Sequence, residues 1–299
     1  RTAIKASIGH YPDIIRTASG NPANNLTRTT TRTWADGNRN YVPDCDLKNP
    51  VANGECGAWS DLTFGKLVGA RYEPGLLEGF NRQYHNWQAS VSMQHELRPG
   101  LGVNVGYFRT WYGGDAGGSG IPGAETTLTV TDNLRVTPKD FDPYCITAPK
   151  DARLPGGGGN QLCGLYDLRP ALFGQTDFLA RPASDLGGKL TRVYNGFDVT
   201  INSKFLGAGQ VSGGLSAGRT VTDNCLVVDS PQDAREGFCR VTPPWSAGTQ
   251  LKFMVVYPLP LDIQTSAIYQ NSAGIPISAS YVASNATIAP SLGRNLSDC

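Results

Sequence analysis

The sequence predicts an all-β protein: the wall of an antiparallel transmembrane β-barrel, in part, with about seven strands and long extracellular loops. Three observations predict it. Several segments alternate apolar and polar residues with a period of two, the spacing of a strand's two faces. The connections between them alternate between very short and very long. Gly (36) and Pro (20) are plentiful and hydrophobic residues make up only 39% of the chain, which suits strands with much loop. No stretch holds a convincing helical apolar period, and no run is long and apolar enough for a transmembrane helix.

In chain order, TAIKASIGHY places Ile4, Ala6 and Ile8 on one face. The clearest segment sets Trp87, Ala89, Val91, Met93, His95 and Leu97 against Gln88, Ser90, Ser92, Gln94 and Glu96. Arg98, Pro99 and Gly100 then turn the chain into a second strand, where Val103, Val105 and Tyr107 share a face ahead of Trp111 and Tyr112. In VYNGFDVTINSKF, Val193, Phe197, Val199 and Ile201 oppose Asp198, Thr200 and Asn202. A Leu206-Gly207-Ala208-Gly209 turn follows, and Val211, Leu215 and Ala217 then alternate with Ser212, Gly214 and Ser216. Leu251, Phe253, Val255 and Tyr257 share the next face. A turn at Pro258 to Pro260 leads into LDIQTSAIYQ, with Ile263, Ala267 and Tyr269 together.

Short connections fall near 98–101, 206–209 and 258–261. Long ones cover 11–86, 113–190 and 221–247, and another begins near 272. Loops of this length are uncommon in compact soluble domains, whereas barrels put short turns on one side and long loops on the other. A β-sandwich or propeller shares the alternating strands but not this regular alternation of connections. The apolar faces are also diluted by Ala, Gly and Thr, which a lipid-facing wall tolerates better than a sandwich core. Residues 1–299 therefore read as part of one outer-membrane barrel, with 11–86 and 113–190 as long extracellular loop regions. The chain is strand-like from Thr2, which reads as an interior or processed segment of a longer protein.

A net charge of +1 argues against a nucleic-acid binder, which normally shows a basic face or stripe. His10, His85 and His95 have no obvious nucleophile and orienting group, and neither G-x-S-x-G nor H-E-x-x-H occurs, so nothing points to an enzyme. Six of the seven cysteines form close pairs, Cys45 with Cys56, Cys145 with Cys163 and Cys225 with Cys239. Local pairing suggests disulfides stapling loops in an oxidising compartment; the alternative is free or metal-binding thiols, but C-x-x-C is absent. Cys299 is left over, with a partner expected beyond the chain.

In the first loop, Asp36, Asn38, Asn40 and Asp44, with Asp46 beside them, have the spacing of a calcium loop. Tyr41 and Leu47 stand where an EF-hand needs Gly and Glu, so the pattern is closer to the short Asp/Asn-rich calcium loops of extracellular repeats. The other reading is a cluster of Asx turns without an ion. The stretches GGDAGGSG and LPGGGG read as linker or turn, not as phosphate loops. Tyr144, Tyr166, Phe173 and Phe178 are expected to pack a small loop core; a ligand surface is the alternative.

The segments TRTWADGNRNYVPDCDLKNPVANGECGAWSDLTFG, HNWQASVSMQHELRPGLGVNVGYFRTWYG, TVTDNLRVTPKDFDPYCITAPKDARLPGGGG and SAGRTVTDNC resemble the C-terminal barrel region of TonB-dependent-receptor-like outer-membrane proteins, of the acidobacterial type with an N-terminal carboxypeptidase-regulatory-like domain. The resemblance runs through nearly the whole chain. It implies a barrel of about 22 strands with a periplasmic plug, and uptake energised by a TonB-type partner in the inner membrane. The plug, the TonB-contacting segment and the closing strands are not among these residues. The function expected on this basis is import of a large nutrient: an oligosaccharide, a peptide or a metal chelate. The extracellular ligand is unidentified, and the other partner is outer-membrane lipid. The alternative function is a structural or adhesive surface protein, anchored by the barrel and assembling through its loops. A soluble secreted β-protein is the third reading.

Overall fold

A computed structural model describes residues 1–12, 29–62, 64–65, 71–73, 80, 84–113, 129–188, 190–205, 208–234, 238–275 and 279–298. Leu206, Gly207, most of GGDAGGSG and Cys299 lie outside the described residues. The strands are β1 (Thr2–Pro12), β2 (Arg71–Tyr72), β3 (His85–Arg98), β4 (Leu101–Gly113), β5 (Thr129–Asn133), β6 (Phe141–Thr147), β7 (Gln161–Leu168), β8 (Phe178–Pro182), β9 (Thr191–Phe205), β10 (Gly209–Asp223), β11 (Arg240–Val241), β12 (Gln250–Pro258) and β13 (Gln264–Ser272), followed by helix α1 (Asn285–Leu292). The fold is all-β apart from that short helix.

The main sheet has the order β1-β3-β4-β9-β10-β12-β13, antiparallel throughout, with β11 beside β10. These are the seven segments that the alternation predicts, in sequence order. β9 and β10 are longer than expected, at 15 residues each. The last turn is wider than predicted: β12 stops at Pro258 and β13 starts at Gln264, so Ile263 is not a strand residue. Leu261 and Asp262 both take positive φ (65° and 56°), and the Leu259 N–H donates to the Ile263 carbonyl at 2.8 Å, closing the loop locally. The tight turn after β3 is as predicted, with Gly100 at φ 81°, where a residue with a Cβ is strained. β1 and β13 are the two edges, so the described sheet is open.

Hydrogen-bond register aligns side chains across all seven strands. One row runs Ile4, Met93, Val105, Val199, Leu215, Leu251, Asn271. The row one pleat away runs Ala6, Val91, Tyr107, Phe197, Ala217. The opposite face carries Lys5, Ser92, Asp198, Ser216 and Gln250 at matching positions. Because strand side chains have a period of two, one residue of slip anywhere would have exchanged the faces.

A second region lies between the strands' ends. β2, β8 and β5 form a small sheet in which β2 and β8 are parallel, and β6 pairs with β7 as a hairpin. These strands are too short and irregular to show a period of two, and the sequence predicts only long loops with a small core there. The buried apolar residues Cys56, Val136, Ala148, Ala180, Ala183 and Ile288 all lie outside the main sheet, where among the described residues Ala217 is the one buried apolar side chain and His85 is buried at the loop end of β3. The aromatic loop core expected from Tyr144, Tyr166, Phe173 and Phe178 is corrected: Phe178 is 37% exposed, the other three are half-buried, and the buried positions hold small residues. Among the described residues no helix is long and apolar enough to cross a membrane; strands lie outside that criterion.

Candidate functional site

Two surfaces carry the functional content, the apolar face of the sheet and the loop assembly at one end of it. The apolar face is uncovered except at its loop end, where Trp245 lies against Phe197 and Arg219. Its exposed side chains range from 37% at Phe197 and Ile201 to 73% at Ile4, with Val91, Met93, Val105, Tyr107, Tyr257 and Tyr269 in between, while Val199, Leu215, Leu251 and Phe253 are half-buried and Ala217 is buried. Burying a side chain of this size is worth about 1.5–3 kcal/mol, and here that remains unrealised within the chain.

Aromatic residues border the face at both ends. At the loop end, the His10 ring lies 4.6 Å from Trp87, and Trp87 stacks on Trp111 at 6.1 Å. At the turn end, Phe205 lies 6.2 Å from Tyr257. One pleat inside the Trp87–Trp111 row, register aligns Ala89, Arg109, Asn195 and Arg219. The Tyr107 hydroxyl donates to Asn195 Oδ1 at 2.7 Å. The Arg219 guanidinium lies 4.8 Å over the Trp245 ring and donates to the Pro243 carbonyl at 3.3 Å, while Trp245 also contacts Phe197 at 5.6 Å.

The polar face is hydrogen-bonded laterally. Ser7 meets Ser90 at 2.7 Å, Ser212 donates to Asn202 Oδ1 at 2.6 Å, and Ser216 donates to Asp198 Oδ1 at 2.5 Å. Gly196 and Gly218 face each other across β9 and β10, and the Tyr194 ring lies over both. A Cβ at either would collide with its hydroxyl, so close ring packing requires glycine there. A groove of about 350 Å³ runs over this face, lined by Asp198, Thr200, Gly214, Ser216, Gln250 and Lys252.

Every long connection leaves the same end of the sheet, which follows from antiparallel order with short turns at the other. All three predicted cysteine pairs are disulfides in this loop assembly: Cys45–Cys56, Cys145–Cys163 and Cys225–Cys239, with Cα–Cα distances of 5.9, 4.2 and 4.8 Å. Comparison with protein-family models, curated proteins and solved structures finds no match.

The calcium-spaced residues form two clusters. The Asp36 carboxylate accepts from the backbone N–H groups of Asn40 (3.1 Å) and Tyr41 (3.0 Å). Asp44 Oδ2 accepts from the side-chain amides of Asn38 (2.5 Å) and Asn40 (2.9 Å). Asp46 stands apart, accepting from the Lys48 N–H at 2.9 Å. The Asp46 contact is an Asx turn, as are those of Asn38 and Asn40, whose side-chain oxygens accept from the Asn40 (3.0 Å) and Val42 (2.7 Å) N–H groups. Among the described residues no group of three or more His, Cys, Asp or Glu side chains is arranged to hold a metal.

The hub of this loop is Glu55, which the sequence reading passed over. Its carboxylate accepts from the Gly37, Asn38 and Asp44 N–H groups and from the Trp34 indole, at 2.8–3.4 Å. Desolvation pushes its pKa up, but these four hydrogen bonds outweigh it and hold the group below the ordinary carboxylate range. Arg39 and Tyr41 adopt positive φ (59° and 60°) within this frame.

Further polar links bind the loops to one another. Thr176 donates to Asp61 at 3.1 Å, and the Leu62 N–H donates to the Gly174 carbonyl at 3.0 Å. Arg181 bridges Glu73 (3.2 Å) and Asp132 (3.0 Å). The Asn133 N–H donates to Asp229 at 3.1 Å. The segment after β13 closes the assembly: the Cys145 N–H donates to Ser291 at 2.9 Å, Thr33 donates to the Asp298 carbonyl at 2.9 Å, and Arg294 pairs with Asp142 (2.9 Å) and Asp167. The Arg294 hydrogen bond, followed by burial acting the other way and by the Arg169 contact, leaves the Asp142 carboxyl below its ordinary pKa. No local pattern in the sequence marks Arg294, because its partners lie more than 120 residues away.

Proposed function

We propose that the seven-strand sheet is a stretch of the wall of a bacterial outer-membrane β-barrel, with its apolar face against lipid and the disulfide-stapled loops outside the cell. The observation that carries this is the continuous apolar face, aligned in register over all seven strands and left open. Such a face is unstable in water and stable in hydrocarbon. Its height supports the reading. From the Asn195 row to Phe205 is ten residues, or about 34 Å along the strand. At a tilt of about 40° that is about 26 Å, close to the roughly 25 Å apolar band of known barrels.

On this wall the chain acts within a TonB-dependent-receptor-like importer of a large nutrient, an oligosaccharide, peptide or metal chelate, energised by a TonB-type partner. The polar face, with its Asp198–Lys252 groove, lines the interior. The test uses the full-length gene product in its native cells. Membrane fractionation recovers it with the outer membrane, and uptake from a panel of labelled oligosaccharides, peptides and chelates is lost when the energising partner is deleted. Recovery in the soluble fraction overturns the wall; uptake that persists without the energiser overturns the importer.

A second reading, a surface protein anchored by the same wall, is favoured by one observation: the long loops are tied to each other by Arg181, Arg294 and backbone hydrogen bonds. A locked outer surface suits contact with neighbours. Ordered assemblies in mild detergent support it, and monodisperse particles with intact uptake remove it.

A further inference from the structure

The apolar face has one charged feature that a lipid-facing wall alone does not require. Between the Val193–Val221 row and the Phe205–Gly209 row, apart from Arg98, which the bulge at the turn end pairs with Leu101, its formally charged side chains among the described residues are Arg109 and Arg219. They share a single row, flanking Asn195, on two strands separated by β9. Two strand spacings put their backbones about 10 Å apart, within reach of one ligand for two arginine side chains. The row contains no acid to neutralise them. Arg109 is exposed and has no ion-pair or hydrogen-bond partner among the described residues. Arg219 is held by the Trp245 ring and the Pro243 carbonyl, neither of which carries a countercharge.

Resting on the wall reading above, we infer that Arg109 and Arg219 form a binding site for the phosphate of a lipid headgroup in the loop-side leaflet. The row sits at the loop-side border of the apolar band, one pleat inside the stacked Trp87 and Trp111. That is the level at which an acyl chain gives way to its headgroup. Below the row, the lipid's chains meet Tyr107, Phe197 and Val105. At the row, a planar guanidinium presents paired N–H donors to phosphate oxygens. Trp245 keeps the Arg219 fork against the wall, so less side-chain freedom is lost on binding. Asn195, between the two, adds a polar group already oriented by Tyr107. The charge sign and the isolation of the pair select an anionic headgroup. The adjoining apolar rows select a lipid over a soluble phosphate.

The test inserts the full-length protein into phosphatidylcholine vesicles with and without added phosphatidic acid, and measures retained lipid by native mass spectrometry after gentle extraction. The wild type retains phosphatidic acid in preference to phosphatidylcholine, and inorganic phosphate does not displace it. R109Q, at a site with no protein partner to lose, lowers retention about fivefold, and R109Q with R219Q lowers it about twentyfold. R219K keeps the charge but loses the planar fork stacked on Trp245, so its retention falls between those of wild type and R219Q. Equal retention by wild type and double variant, with insertion intact, overturns this site alone. Displacement by inorganic phosphate overturns the lipid as occupant. Failure to insert into either vesicle overturns the wall reading and this site with it.

Discussion

The sheet and the loop assembly are stabilised by opposite means. The sheet has backbone ladders and an ordered division of faces, but almost nothing in it is buried; Ala217 is its one buried apolar residue among those described. The loops bury Ala180, Ala183 and Ile288, and are tied by three disulfides and by cross-loop ion pairs. One region relies on its surroundings and the other on covalent and polar links. On the proposed reading the solvent that satisfies each differs: hydrocarbon for the sheet, an oxidising aqueous phase for the loops.

The largest effect expected is a charge placed on one face but not on the other. Val105→Lys, on the open apolar face, should cost about 2–4 kcal/mol in a bilayer, while Thr200→Lys on the polar face should cost under about 0.5 kcal/mol. Equilibrium unfolding from vesicles measures both, and equal costs would break the distinction between the faces.

Next comes loss of a staple. Removing Cys145–Cys163, which closes 18 residues, should destabilise the loop assembly by about 3 kcal/mol. Hydrogen exchange should then rise in β6 and β7 while β3, β4, β9 and β10 stay protected. Loss of protection throughout the sheet would show that the two regions fold as one.

Smaller again is the Arg294 clamp. Arg294→Ala leaves Asp142 and Asp167 without their partner and should cost about 1–3 kcal/mol, read as proteolytic release of the segment containing α1. The same segment should loosen in acid. The Asp142 pKa is depressed in the folded state, so its contribution is full above the ordinary carboxylate pKa of about 4 and is lost as pH falls through the lower folded value. Release that increases on raising the pH from neutral would contradict this.

The smallest effect concerns the 36–46 loop. Glu55→Gln removes the carboxylate that holds Gly37, Asn38 and Asp44, and should speed amide exchange at those residues without moving the sheet. Chelation should leave that exchange unchanged, because the Asp36 and Asp44 carboxylates already accept N–H groups. Faster exchange with chelator, reversed by calcium, would establish the calcium loop instead.

The contrast also explains what was legible in the sequence. A strand writes its two faces into alternate residues, so all seven strands could be read, and the register aligns Val105 with Val199 and Leu215, with a bulge at Glu96/Arg98 beside the β3–β4 turn. The cysteine pairs were legible because they are local, 11 to 18 residues apart. The β2–β8 pairing was not, since two-residue strands carry no period and their partners lie far apart in sequence. Glu55 was hidden because the Asp/Asn spacing before it drew the reading toward metal ligands, whereas its own role is to accept backbone N–H groups. Arg109 and Arg219 were readable as arginines, but only the register showed that they share a row on the apolar face.

The central claim is that the open face meets lipid. It is tested most directly by nitroxide labels on the full-length protein in vesicles, with the parent protein carrying no introduced cysteine as the labelling control. Labels at Val105→Cys and Leu215→Cys should be reached by oxygen and shielded from a water-soluble nickel chelate, while Ser92→Cys and Thr200→Cys should show the reverse. Equal access of the chelate to all four positions would contradict it.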